Sequence, residues 1–252
     1  MKILATYSIK GGVGKTATAV NLAYLAAKEG YHVLLWDLDP QGAASFCFRI
    51  KSKVKGGVRG FLQRDRSLDD LVKETDYAGL DLIPADFSYR NMDLKLHDSG
   101  KPVKQLRRLI KPLSGEYDFL FLDCAPSISL VSENVFHAAN VLLVPLIPTP
   151  LSLRTYRQLL RYFKKSSLNR AALLPFISMM DIRKRLHRET MNSIFTGRSG
   201  AMKTVIPYSS QVELMCVRQA PLGSYDHHSL PALAFERLWN EIKTHLDSSN
   251  GR

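Results

Sequence analysis

"SIKGGVGKT" (8–16) lies between an apolar run, "KILATYS" (2–8), and a helical pattern over 16–29, and its reading decides the fold. Turns of the form G-x-x-x-x-G-K-[ST] bind phosphate because backbone N–H groups converge on the oxygens and the following helix N-terminus adds partial positive charge. Gly14, Lys15 and Thr16 supply the end of that pattern, with Gly11, Gly12 and Val13 before them. Counting back, however, puts Ile9 where the first glycine belongs, and a second lysine, Lys10, follows at once. Lys15 is expected at the β- and γ-phosphates and the Thr16 hydroxyl on Mg²⁺. Lys10 is one cation more than the pattern needs.

Further apolar runs of strand length occur at 32–39, 80–86, 117–124, 141–147 and 173–178. Near-continuous runs of this kind suit strands covered on both faces of a parallel sheet. Helical patterns fall between them, over 101–113, 127–138, 151–165 and 183–196. Alternation of this sort predicts an α/β fold: a single doubly wound, mostly parallel sheet flanked by helices. One domain is expected over 1–246, with a short polar tail at 247–252. The closing segment "LPALAFERLWNEIKTHL" (230–246) should turn Leu233, Leu238, Trp239 and Ile242 inward. The stretch 49–66, "RIKSKVKGGVRGFLQRDR", reads as an exposed, mobile loop.

Composition narrows the function classes. A formal net charge of +12 favours a polyanionic partner or an anionic surface. Cys47, Cys124 and Cys216 form no C-x-x-C pair, so neither a disulfide framework nor a zinc site is indicated, and a reducing cytoplasm fits. No apolar run reaches transmembrane length, so a soluble protein is expected. His227 and His228 are adjacent and point apart on a regular element, which makes them poor joint ligands. Ser127 and Ser129 lack a G-x-S-x-G elbow, which argues against a hydrolase triad. "RTYRQLLRYFKK" (154–165) is basic with interleaved tyrosines and reads as a solvated helix with an apolar stripe of Leu159, Leu160 and Phe163.

Two more stretches complete the nucleotide motifs: "LLWDLDPQG" (34–42) and "FLFLDCAPS" (119–127). Together with "KGGVGKT" they resemble the ParA/MinD group of deviant Walker ATPases, specifically the small ParA partition type. Looser matches extend along the chain through "LDLIPAD", "SMMDIRKRLHRET", "VIPYS", "QAPLGSYD" and "ALAFERLWNEI". The resemblance implies a P-loop NTPase fold, ATP and Mg²⁺ as cofactors, and a homodimer with ATP sandwiched between subunits. Lys10 would then be the signature lysine that reaches the partner's phosphates. Asp39 would orient the attacking water, and Asp123 would hold Mg²⁺ through a water. Asp37 would lie near the Mg²⁺ shell or support the loop. Met180, Asp181 and Pro207 fall where relatives form the adenine pocket. Ala17 stands where the family usually has threonine or serine, leaving only its backbone N–H for the α-phosphate.

The function implied is a slow, partner-stimulated ATPase whose ATP form binds DNA nonspecifically and positions a cargo. It would be cytoplasmic and nucleoid-associated, released when a partner protein stimulates hydrolysis. Arg183, Lys184, Arg185, Arg188, Lys203 and Arg218 lie where relatives bind DNA, with "RIKSKVK" (49–55) as a rival patch. The alternative is a MinD-like membrane-associated switch, a class that ends in a basic amphipathic helix. This chain ends in the polar "KTHLDSSNGR", and no stable membrane insertion is expected. A metal-cluster-loading relative would need a cysteine pair that the sequence lacks.

Overall fold

The computed structural model describes residues 1–62, 67–97, 102–166, 171–196 and 200–250. Its centre is an eight-stranded sheet ordered β3-β4-β2-β5-β1-β6-β7-β8. These strands are β1 (Lys2–Thr6), β2 (Val33–Asp37), β3 (Lys73–Glu74), β4 (Leu80–Ile83), β5 (Phe119–Asp123), β6 (Val141–Leu146), β7 (Ala172–Met180) and β8 (Val205–Pro207). Every pairing is parallel except that of β3 with β4. Six strands lie where the apolar runs place them. The two short edge strands, β3 and β8, carry too little apolar sequence to show a period.

Each central strand serves two cores at once. Ile3, Ala5, Leu34, Trp36, Leu120, Leu122, Leu142 and Val144 face one layer of helices. Their neighbours Leu4, Val33, Leu35, Phe119, Phe121, Val141 and Leu143 face the other. Successive side chains on a strand point to opposite faces, so burial on both sides demands an unbroken apolar run. The first layer contains α4 (Met92–His97), α5 (Gln105–Ile110), α6 (Leu130–Ala138) and α7 (Pro150–Lys165). The second is built on α1 (Lys15–Lys28) and α11 (Leu230–Asn250). The many alanines of α1 let it lie close over the sheet, and Gly30, at φ +91°, ends it. Helix α6 starts from a capping box between Ser129 and Ser132, and α7 from the Thr149 side chain with Pro150 at its first position.

Short helices join this frame: α2 (Ala43–Cys47), α3 (Gly57–Leu62), α8 (Arg185–Thr196), α9 (Ser210–Arg218) and α10 (Leu222–Tyr225). The structure corrects several expectations. Residues 49–62 do not form an exposed loop: Val54 and Val58 are buried, α3 occupies the second half, and the N–H groups of Val54 and Val58 donate to Asp86 Oδ2 (2.7 Å) and Ser88 Oγ (2.8 Å). Residues 63–66 of that stretch lie outside the described residues. On α7, Leu159 and Phe163 are buried as expected, but Leu160 is exposed and Tyr156 takes its place. On α11, Leu238, Trp239 and Ile242 are buried, whereas Leu233 is half-buried and Phe235 fills the core instead. Helix α11 also continues to Asn250, past the expected end at residue 246. Cys47 and Cys216, far apart in sequence, meet where α2 packs on α9; burial pushes the Cys47 thiol up to about 12, with Cys216 beside it.

Trp239 locks α11 to the sheet, its ring 5.2 Å from Phe119 and 6.1 Å from Phe121, centroid to centroid. Because it is almost fully buried, Trp239→Ala is expected to cost about 3–5 kcal/mol. A urea titration should show a lower midpoint with an unchanged slope. A midpoint within error of the parent would mean that α11 is not anchored by this contact.

Candidate active site

The nucleotide motifs converge at the C-terminal edge of the sheet, where open α/β folds place their ligands. Strand β1 ends at Thr6 and the chain crosses through Gly11–Gly14 into α1. Two glycines of the turn have left-handed backbones, Gly12 at φ +67° and Gly14 at φ +91°. At Gly14 the demand is double, since a Cβ there would also lie 2.9 Å from Ser178 Oγ. That hydroxyl, on β7, donates to the Val13 carbonyl at 2.9 Å and holds the loop from behind. Around Gly12 an added Cβ would meet no atom of the chain within 4 Å, so only its backbone angle disfavours a side chain.

Lys15, the first residue of α1, is 93% removed from solvent and makes no ion pair among the described residues. Thr16 and Ala17 follow in the first turn, half-buried. The orphan N–H groups of that turn carry no side-chain cap, which leaves them free for a bound anion. Lys10 is half-buried at the front of the loop; its backbone N–H donates to Ser8 Oγ at 3.3 Å, and its ammonium has no partner among the described residues.

The acidic residues follow from sheet register. Asp37 on β2 pairs with Asp123 on β5, and Thr6 on β1 pairs with Asp123 from the other side. All three side chains are fully buried and, by strand alternation, point to the face that α1 covers. Asp37 is well satisfied: its Oδ2 accepts from Ser45 N–H and from Ser45 Oγ, each at 2.8 Å, and its Oδ1 accepts from Asp39 N–H at 3.3 Å. Ser45 Oγ in turn accepts from Ala85 N–H at 2.9 Å, which fixes its proton toward Asp37. Burial, partly offset by these bonds, pushes the Asp37 carboxyl up to about 6.

Asp123 is less satisfied. Its Oδ1 accepts one long bond from Thr6 Oγ1 at 3.3 Å, and its buried Oδ2 has no hydrogen-bond partner of good geometry. Burial, then the neighbouring Asp37 charge, push its carboxyl up to about 8, tempered by the Thr16 hydroxyl and the Lys15 ammonium. A buried carboxylate oxygen without a donor is costly unless something else meets it. Asp39 lies two residues beyond Asp37, half-buried at the rim, its Oδ1 accepting from Gln41 N–H at 3.0 Å.

On the far side of the loop, Met180 and Pro207 stand opposite each other on β7 and β8, and the Tyr208 N–H donates to the Met180 carbonyl at 2.9 Å. Asp181 turns away from them into a fork with Arg183, at 2.9 and 3.0 Å. The expected DNA contacts are spread over the start of α8, the approach to β8 and the end of α9. Several are already engaged: Arg183 with Asp181, Arg185 with Glu189 at 2.6 Å, and Arg188 with the Ile182 carbonyl at 2.6 Å. Sequence reasoning missed Ser45 and Thr6, and it gave Ser178, the first residue of "SMMDIRKRLHRET", no role. It also missed Asn21, whose amide donates to Ala17 O and whose Oδ1 accepts from Leu222 N–H. A lone asparagine within the apolar pattern of α1 was the available signal. Among the described residues no cluster of three or more His, Cys, Asp or Glu could hold a metal ion by itself, and no helix is long and apolar enough to cross a membrane.

Comparison with known proteins agrees with this geometry. A family model described as an AAA domain matches residues 1–174. Sporulation initiation inhibitor protein Soj of Bacillus subtilis is 30% identical over 247 residues, covering 96% of this chain and 98% of that protein. Among solved structures, apo McdA of Cyanothece superposes with a TM-score of 0.83 at 21% identity, over 96% of this chain and 99% of that one. Cobyrinic acid a,c-diamide synthase of Mycobacterium smegmatis, with an ATP analogue and magnesium bound, gives 0.82 at 25% identity over 100% and 97% of the two chains. With the three motifs meeting at one edge of such a sheet, the chain belongs to the ParA/MinD family of ATPases.

Proposed function

We propose that this protein is a positioning ATPase of the ParA type, an ATP-dependent dimer that binds DNA nonspecifically and lets go when a partner protein stimulates hydrolysis. The observation that carries the chemistry is Asp123, a buried carboxylate at a strand end with one oxygen unmet. Such an oxygen fits a water of the Mg²⁺ shell. Thr16 and Asp123 would hold the ion, with Asp37 behind them in register; Mg²⁺ bound there supplies charge neutralisation for the β- and γ-phosphates of ATP. Lys15, buried at the helix start, meets the same phosphates from within the chain.

Asp39, at the rim, would orient a water, and the Gln41 backbone N–H donates to its carboxylate. Little covalent work falls to the protein in phosphoryl transfer; positioning and charge do most of it. Among the described residues Lys10 has no acid to answer, which suits a cation delivered to a second subunit's γ-phosphate, as an arginine finger is. Dimerisation then depends on ATP. The net charge of +12 supports phosphate-backbone binding without base reading. Relatives named for chromosome partitioning, such as the ParA of Caulobacter vibrioides, support the positioning role.

Lys15→Ala should abolish ATP binding in a fluorescent-nucleotide titration, because the in-chain phosphate cation is gone. Asp39→Ala should bind ATP with near-native affinity yet turn it over at least tenfold more slowly. Native turnover in the Asp39 variant would remove that residue from catalysis.

A Cβ at Gly12 would meet nothing within 4 Å beyond its chain neighbours, so the main cost of Gly12→Val to the monomer is the strained left-handed backbone, about 1–3 kcal/mol. It should fold and bind nucleotide but stay monomeric with ATP on size-exclusion chromatography. An ATP dimer of native stability would rule out close approach of two loops.

Without Mg²⁺ and nucleotide, the raised carboxyl of Asp123 makes stability depend on pH. The folded state prefers the protonated acid, so this contribution is complete below the unfolded value of about 4 and is lost as pH rises through about 8. The thermal midpoint of the ligand-free protein should therefore fall across that window. In Asp123→Asn, which keeps the shape without the charge, the fall should be visibly shallower. Identical pH profiles would show that Asp123 is not the titrating group.

A further inference from the structure

Helix α7 carries five cations and no acid over its sixteen residues. Arg154, Arg157, Arg161 and Lys164 follow one another at spacings of three, four and three, which sets them on one face, with Lys165 alongside. All five are exposed. The row is roughly 15 Å long at the helical rise. The opposite face, Tyr156, Leu159 and Phe163, is buried against the sheet and α6. Among the described residues none of the five makes an ion pair. The carboxylate that does reach α7, Glu133, accepts from the Tyr162 hydroxyl at 2.6 Å instead.

Some cations elsewhere on the surface are paired. Arg49 pairs with Asp76, Arg183 with Asp181, Arg185 with Glu189, and Lys243 with Glu29. Like charges three and four residues apart weaken a helix by a few tenths of a kcal/mol each, and Arg154 stands near the end where the helix dipole favours anions. Among the described residues no acid offsets these costs for the α7 row. An external polyanion would.

We propose that the exposed face of α7 is the surface on which duplex DNA lies, its cations meeting successive backbone phosphates. This rests on the DNA-binding reading above and says where the contact is made. Unlike the residues at the start of α8, those of α7 need break no ion pair to bind. A bilayer is the poorer match, since the apolar face of α7 is already in the core and its exposed Leu151 and Leu160 stand nine residues apart.

The experiment compares the full-length native chain, Arg157→Gln/Arg161→Gln and Arg183→Gln/Arg185→Gln, each with ATP and Mg²⁺, on random-sequence duplex DNA across a salt series. Basal ATP turnover of the Arg157/Arg161 variant should match the native chain, and both variants should keep a cooperative thermal transition. Loss of two phosphate contacts per subunit, four per ATP dimer, should make the log–log salt slope shallower by about 3.6 and weaken binding roughly 4,000-fold at about 0.1 M salt. The Arg183/Arg185 variant should bind as the native chain does. If the native chain binds DNA and the α7 variant keeps its slope and affinity, the α7 assignment is overturned while the DNA-binding reading stands. If the native chain fails to bind duplex at low salt, both fall. α7-dependent binding to vesicles of phosphatidylglycerol and phosphatidylcholine in that case would make an anionic bilayer the occupant.

Discussion

Two carboxylates held side by side at the buried ends of β2 and β5 are the constraint around which the rest of this molecule is arranged. Register places Asp37 and Asp123 on the same face, without solvent, beneath the first turn of α1. Burial holds both carboxyls above their ordinary range, and the neighbouring Asp37 charge adds to the shift of Asp123. Ser45 relieves Asp37 with two hydrogen bonds. Asp123 receives one long bond from Thr6, and Thr16 and Lys15 at the mouth of the site temper its shift. In the proposed reading a hydrated divalent cation would answer the oxygen that is left.

The positive side of the site is arranged with the same economy. Gly14 can neither carry a side chain past Ser178 nor leave its left-handed angle, so the loop closes tightly and delivers Lys15 at the start of α1. That helix is in turn pinned at its middle by Asn21, which reaches the start of α10, and along its length by the alanine-rich packing on the sheet. The loop therefore leads into a helix that shares one apolar layer with α10 and α11. The opposite layer carries α7, whose cations are unanswered within the chain. In the proposed reading Lys10 at the loop answers another subunit and the row on α7 a polyanion.

Much of this was legible from local pattern. The glycine turn between a buried strand and a helix, the two acid-terminated strands and the doubly apolar β-runs all depend on residues a few positions apart, and backbone geometry dictates their spacing. Where apolar periodicity was weak or short, local reading failed. Edge strands β3 and β8 were missed because two or three residues show no period. Residues 49–62 looked disordered because their charges are many, yet Val54 and Val58 alone suffice to anchor them. Leu160 and Tyr156 exchanged roles on α7 because a one-residue rotation of the helix about its axis is set by what it packs on.

By itself the sequence determined the α/β class, the phosphate loop, the order of the nucleotide motifs and the surplus lysine, since each follows from chain-local stereochemistry. Only the tertiary structure decided which charges are answered and which are not. It set Asp37 against Asp123 across two strands, brought Ser45 and Ser178 to groups eight and 165 residues away, and neutralised Arg183 and Arg185 while leaving α7 bare. The physical reason is that electrostatic satisfaction is a property of distance in space, whereas sequence records only distance along the chain.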